Sequence, residues 1–413
     1  MSTYLRFLRD NAAFLSAGLL ICFTSSYGQT FFISLFAGEI MRDFGLSDGG
    51  WGLVYTLATT TSAGLMVFAG GLTDRMRVRR LAMFAGGGLT LACLAMGSLS
   101  GVVALTATVL ALRLFGQGMM SHIAAVAMSR WFVATRGKAL SISSMGFALG
   151  QAILPIVFVA LLATTDWRVL WFVAAGLVLL SMPVTLRLLR AERTPQSLAA
   201  EAPSPGMEGL HWTRSAMVRH WLFWMLIPLL LGPPAFATAL FFHQVHLTEV
   251  KGWSLLEYVA LMPLFTAVSV AATFASGSLI DRFGTGRLIA VYLLPFAVAF
   301  LVIGSVDTLT GAALGLMILG LGTGTQATVP TAFWAEYYGT RHLGSLKALA
   351  VAIMVLGSAI GPGLTGLLID AGIDFPSQMP AIALYFAASA ALAAAGVLRA
   401  RRTLAPQVDV IGA

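Results

Sequence analysis

Apolar residues in this chain run in stretches of about twenty, broken by short polar segments, without the periods of 2 or 3.6 that a single buried face would give. The stretches fall at roughly 12–37, 51–71, 81–99, 102–128, 139–163, 169–189, 220–246, 256–277, 287–304, 310–333, 346–369 and 379–398. A helix rises about 1.5 Å per residue, so each is long enough to cross a hydrocarbon layer of about 30 Å. Backbone groups in lipid must bond within their own segment, and no stretch shows the alternation of a barrel strand. The pattern predicts an all-α membrane protein with twelve transmembrane helices.

Composition agrees, with 58% hydrophobic and 10% charged residues, too few charges to coat a water-soluble globule. Cys22 and Cys93 lie inside apolar runs, which leaves no disulfide framework and no cysteine-rich metal site. A net charge of +8 could suggest nucleic acid, but the basic residues sit in short connectors between apolar runs. Of 25 Lys and Arg, 21 fall in the two tails and in the connectors after even-numbered spans; Arg42, Arg168 and Lys251 lie on the other side, and Arg113 lies within a span. Since positive residues stay cytoplasmic, both termini are expected inside a bacterial-type inner membrane. The nine Trp cluster near span ends, and the first span lacks an A-x-A cleavage site, so it is expected to be retained. Pro, Ser and charge in 190–219 predict a flexible cytoplasmic linker between a six-helix bundle at 1–189 and another at 220–413.

An offset of 207 residues aligns Leu46–Arg75 with Trp253–Arg282 without gaps. It pairs Ser47 with Ser254, Leu57 with Leu264, Thr59 with Thr266, Ser62 with Ser269, Gly70 with Gly277, Leu72 with Leu279, and Asp74-Arg75 with Asp281-Arg282. Offsets of 204 and 209 relate further segments, so the halves read as parallel repeats, an arrangement that places a substrate site between them. Gly70-Gly-Leu-Thr-Asp74-Arg75 and its copy Gly277-Ser-Leu-Ile-Asp281-Arg282-Phe-Gly284 resemble the loop signature of the major facilitator superfamily. Arg113 with Gly116 and Gly118 is similar to that family's fourth-helix motif, and Trp334–Arg341 to its loop between helices 10 and 11. Arg77 and Val78 depart from the signature's usual Gly and basic residue. The loops most resemble those of bacterial monocarboxylate and oxalate–formate porters. The resemblance implies that Asp74, Arg75, Asp281 and Arg282 act as a gating lock through charge and helix-dipole contacts.

Polar groups within spans are the candidates for chemistry. Arg113 could hold a carboxylate through its forked guanidinium, or brace the bundle by bonding helix-terminal carbonyls. Gln117 shares its face. His122, nine residues on, is turned half a revolution away at 100° per residue; the repeat sets it opposite Gln326, and an imidazole could carry a proton. Gln29 and Thr30 share a face with Ser26, Tyr55 with Thr59 and Ser62, and Gln151 with Ser144 and Ser141. Small hydroxyl residues also serve close helix packing. Pro233 and Pro234 predict a hinge for an extracellular gate, with His243, Gln244 and His246 toward the outside.

These features predict a secondary active or facilitative transporter that moves a small organic solute, by the resemblance a carboxylate anion, through alternating access. It would act as a monomer in membrane lipid, with no cofactor, metal or nucleic-acid partner. The alternative is a proton-linked efflux pump for amphipathic or drug-like compounds, in which Arg113 would be structural. None of the 17 acids falls inside a span, which counts against a carboxylate proton relay. An enzyme would need a reactive pair near Cys22 or Cys93, and an ATP-driven pump a P-loop; the sequence shows neither.

Overall fold

The computed structural model describes residues 3–69, 72–132, 136–191 and 205–404. Every extended element among them is helical. After a short helical stretch at Thr3–Asp10 come α1 (Ala12–Gly28) and α2 (Thr30–Phe44), which meet at a 48° bend. Next come α3 (Asp48–Ala69) and α4 (Val78–Ser98), α5 (Val102–Met128), α6 (Lys138–Leu162) and α7 (Trp167–Leu188). The short α8 (Arg214–Arg219) precedes α9 (Trp221–Phe242) and α10 (Gln244–Lys251). The rest are α11 (Leu255–Phe283) and α12 (Thr285–Ser305), α13 (Leu309–Gln326) and α14 (Val329–Tyr338), then α15 (Ser345–Asp370) and α16 (Phe375–Ala400). Among the described residues, ten segments are long and apolar enough to cross a membrane, and the bent α1–α2 pair makes an eleventh. The 22-residue α3 fills the place of the twelfth.

The chain forms two compact units. The first holds Met1–Ala199 together with Thr238–Pro263 and Ala359–Phe375, and the second holds Ala200–Ala237, Leu264–Ser358 and Pro376–Ala413.

In the first unit small residues set the helix crossings, as expected where lipid offers no hydrophobic drive between helices. Gly146 of α6 lies on the Leu19 carbonyl, Gly150 on the Ser26 hydroxyl, and Gly28 against the backbone of Leu112 and Gly116. An aromatic core of Tyr27, Phe32, Phe36, Phe158 and Trp171 fills the space beyond, with Phe32 and Phe158 centroids 4.8 Å apart.

In the second unit, the helix through Pro233 and Pro234 is uninterrupted from Ile227 to Phe242, so the expected hinge is not a break. Pro233 has no N–H for the Leu229 carbonyl four residues earlier. The Tyr292 hydroxyl donates to that carbonyl instead, at 3.3 Å, and Tyr385 donates to the neighbouring Pro228 carbonyl at 2.8 Å. Pro330 likewise removes the donor for the Gln326 carbonyl, and the tenth span breaks there, between α13 and α14.

The described end of the linker is tied to the second unit. Met207 N–H donates to the Tyr337 carbonyl at 2.7 Å, Trp212 N–H to Tyr338 at 3.2 Å, and the Trp212 ring packs edge-on against Tyr338. The polar composition that suggested a loose tether hides two apolar anchors, Met207 and Trp212, both buried.

Candidate functional site

The break between α1 and α2 has a local cause. Gly28 and Gly116 bring α1 and α5 so close that an added Cβ on Gly116 would stand 2.6 Å from the Gly28 Cα. Gln29 then leaves the helix as extended backbone, φ −88° and ψ 153°. Its departure frees carbonyls at the end of α1, the negative end of that helix's dipole. Arg113 answers them: its Nη1 donates to the Gly28 carbonyl at 3.2 Å and to the Thr30 hydroxyl at 3.3 Å. The Thr30 hydroxyl also bonds the Tyr55 hydroxyl, and the guanidinium lies over the Tyr55 ring, 5.1 Å from its centroid.

Arg113 is 1% exposed, and no carboxylate pairs with it among the described residues. Its Nε has no hydrogen-bond partner. The site is therefore a buried cation held by neutral groups, with its Nε unsatisfied. That cost is usually avoided inside an apolar medium. Two further buried oxygens of the first unit, Ser26 Oγ on α1 and Thr59 Oγ1 one turn along from Tyr55, also lack partners.

Arg113 begins a π-helical stretch that runs to Met120. Wider turns of this kind concentrate at functional sites, and they wind less per residue than an α-helix. The half-turn offset expected between Arg113 and His122 rested on α-helical winding, so the stretch removes its basis. His122 is half-buried just past the stretch. Gln117 lies within it, half-buried, while Gln29 and Gln151 are 8% and 7% exposed. The first unit thus gathers Arg113, Thr30 and Tyr55 by direct contact; Gln117 and His122 follow Arg113 on α5, Gln29 precedes Thr30 at the break, and Gln151 lies on α6. Gln326 belongs to the second unit, at the broken end of α13.

Of the gating candidates, the side chains of Asp74 and Arg75 lie outside the described residues. Asp281 and Arg282 are exposed, and Arg282 stacks over Phe283 at 5.3 Å; neither makes an ion pair among the described residues. Pro233 and Pro234 sit within α9.

A charged cluster that the sequence only partly indicated lies where α2 runs into α3. His243 and His246 approach the two oxygens of Asp48, each at 3.7 Å, and Gln244 donates to the Ser34 hydroxyl at 2.9 Å. The Ser34 hydroxyl bonds the Phe241 carbonyl at 2.6 Å, Thr56 donates to the Ala359 carbonyl at 2.7 Å, and Ser47 to Asp370 at 2.7 Å. The polar run His243, Gln244, His246 was visible in sequence, but its partner Asp48, about 200 residues away, was not.

The sequence is 27% identical over 400 residues to an uncharacterized 38 kDa protein in the 23S RNA operon of Thermoproteus tenax, covering 95% of this chain and 96% of that one. Its fold matches a bacterial homologue of the human lysosomal transporter Spinster in an inward-facing, unoccupied conformation, with a TM-score of 0.69, 19% identity, and 95% and 97% of the two chains covered. It also matches a mutant of the nucleoside transporter NupG, with a TM-score of 0.70, 10% identity, and 94% and 99% covered. Residues 18–318 and 264–410 match the family description of the Major Facilitator Superfamily. The chain belongs to that superfamily and is a membrane transporter, not an enzyme.

Proposed function

We propose that the protein carries a small organic anion with a carboxylate group, by alternating access, and that Arg113 is the group that recognises it. The observation that supports this reading is the buried guanidinium with a free Nε and no acidic partner among the described residues. A permanently charged group in a low-dielectric interior calls for an anion, and an incoming carboxylate would supply both the missing acceptor and the missing charge. Thr30 and Tyr55 are the neutral groups in contact with it; Gln29, Gln117, Gln151 and His122 are further candidates on the first unit, and Gln326 is a candidate on the second.

The test is a thermal-shift screen of the purified protein in detergent against mono- and dicarboxylates, sugars, nucleosides, amino acids and lipophilic cations. A ligand that binds only the native state at a hundred times its Kd stabilises by about 2.7 kcal/mol. Stabilisation by one carboxylate series, lost in Arg113→Gln and in Arg113→Lys, supports the reading. Stabilisation only by lipophilic compounds, unchanged in those variants, refutes it in favour of efflux of amphipathic solutes. Uptake into liposomes with and without a pH gradient then gives the direction of transport.

A further inference from the structure

We propose that a groove between the start of α4 and the end of α7 binds an anionic phospholipid, its phosphate held by Arg79, Arg187 and Arg190 and an acyl chain lying along α7. The groove has a volume of about 500 Å³ and belongs wholly to the first unit. Its charged lining residues are these three arginines, and no acidic residue lines it. The remainder of the lining is apolar and comes from α7.

The two helices meet where Met182 packs on Gly86, so closely that an added Cβ on the glycine would collide with the Met182 sulfur. From that contact Arg79 lies seven residues back along α4, and Arg190 eight residues on, just past the end of α7. At about 1.5 Å per residue both stand roughly 10–12 Å from the crossing, so the arginines share one level. Leu179, Pro183, Leu186 and Arg190 follow at i, i+4, i+7 and i+11, a single stripe that leads from apolar surface to charge. The short ring of Pro183 between the two leucines hollows that stripe. Leu179 and its neighbour Leu180 are 60% and 72% exposed, which in a transmembrane helix means exposed to hydrocarbon.

Three guanidinium groups around one hollow repel one another, and an anion among them turns that repulsion into attraction. Phosphate oxygens suit the arginine fork, which binds them in pairs. Free phosphate would use the charge and leave the leucine stripe unfilled, whereas a lipid with a zwitterionic headgroup would use the stripe and leave the charge uncompensated. A phospholipid of net negative charge uses both, and basic pockets between transmembrane helices take anionic headgroups for this reason. None of the residues proposed to meet the transported solute lines the groove, so the inference stands whatever solute the protein carries.

The test is native mass spectrometry of the full chain in detergent, titrated with dioleoyl-phosphatidylglycerol and, separately, with dioleoyl-phosphatidylcholine. The anionic lipid is expected to bind more tightly. Each arginine beside an anionic headgroup contributes about fivefold in affinity, so Arg79→Gln, Arg187→Gln and Arg190→Gln should each weaken phosphatidylglycerol binding about fivefold, and the triple variant about a hundredfold. Binding of phosphatidylcholine should not change, which also reports that the variants fold; all three arginines are exposed. Arg287→Gln, at an exposed arginine of the second unit, is expected to leave both affinities as they are. Leu186→Ser should weaken the dioleoyl lipid and not dihexanoyl-phosphatidylglycerol, whose chains are too short to fill the stripe. Equal affinity for the two dioleoyl lipids, unchanged phosphatidylglycerol binding in the triple variant, an equal loss in Arg287→Gln, or displacement of the lipid by inorganic phosphate each overturns the proposal.

Discussion

Replacing Gly28 by Ala tests whether the crossing of α1 and α5 creates the Arg113 site. The new Cβ would stand 2.7 Å from the Gly116 Cα and closer still to the Leu112 carbonyl oxygen, and both obstacles are backbone. An ordinary carbon contact needs about 3.5 Å, so the helices must part by most of an ångström. Overpacking of this kind costs about 1–3 kcal/mol. The same displacement stretches the bond from Arg113 Nη1 to the Gly28 carbonyl from 3.2 Å to beyond hydrogen-bonding range. Hydrogen bonds to charged groups contribute about 1.5–3 kcal/mol, so the total loss is expected to be about 2.5–6 kcal/mol. Gly116→Ala meets the Gly28 Cα at 2.6 Å and is expected to behave alike. Gly64 provides the opposite sign: an added Cβ there meets nothing within 4 Å, so Gly64→Ala is expected to stabilise α3 by about 0.5–1 kcal/mol. Thermal unfolding in one detergent, with unfolding monitored by tryptophan fluorescence, separates the three variants. A Gly28→Ala protein that melts with the unmodified chain would refute the claim that this crossing holds the guanidinium in place.

Tyr292→Phe is expected to cost about 1–3 kcal/mol by leaving the Leu229 carbonyl unsatisfied; in a Pro233→Ala background, where a backbone N–H returns, the loss should shrink, as a double-mutant thermal cycle would show. Glu336 accepts from the Thr285 hydroxyl at 2.6 Å at the start of α12, so Glu336→Ala is expected to lower stability by about 1 kcal/mol in the same melt. Burial against Trp212 and Tyr338 lowers the pKa of His220, with Glu208 partly opposing. The neutral ring is the one the folded linker favours, so its contribution is complete above about pH 6.5 and is lost as pH falls through the lowered value. Trp212 fluorescence should therefore change as pH falls below about 6.5, and His220→Gln should remove the change.

The helical spans and the internal repeat were legible because lipid permits little else: an apolar stretch of sufficient length has to be a helix. Arg113 and the hydroxyls and amides around it were legible for the same reason, since any such group in a span stands out. The break at Gln29 was not, because no proline marks it; it arises from the approach of Gly28 and Gly116, which are 88 positions apart. The π-helical turn after Arg113 was likewise hidden, and with it the true angle between Arg113 and His122. Conversely, Pro233 and Pro234 advertised a hinge that the structure does not break, because Tyr292 supplies the hydrogen bond that Pro233 withholds. Long-range partners, here Tyr292 and Asp48, decide what a local signal becomes.

The repeat separates scaffold from chemistry. Offsets of 204–207 residues set the break at Gly28–Gln29 against the Gly232–Pro234 stretch and its surroundings, and His122 against Gln326 beside the break in the tenth span. The irregular backbone does not recur with the sequence: the break at Gly28–Gln29 corresponds to an uninterrupted helix around Gly232–Pro234, and the π-helical stretch after Arg113 to regular α13. The charges do not recur. Met317 stands at the position that corresponds to Arg113, and Phe36 at the one that corresponds to His243. A solute, unlike a duplicated scaffold, needs one specific site. Arg113 is one of several positions where an ionisable group breaks the repeat, His122 and Asp48 being others, and it is the position where the solute is proposed to bind. Restoring symmetry there, with Arg113→Met, is expected to abolish carboxylate stabilisation in thermal melts. A variant that keeps that stabilisation would show that another group recognises the solute.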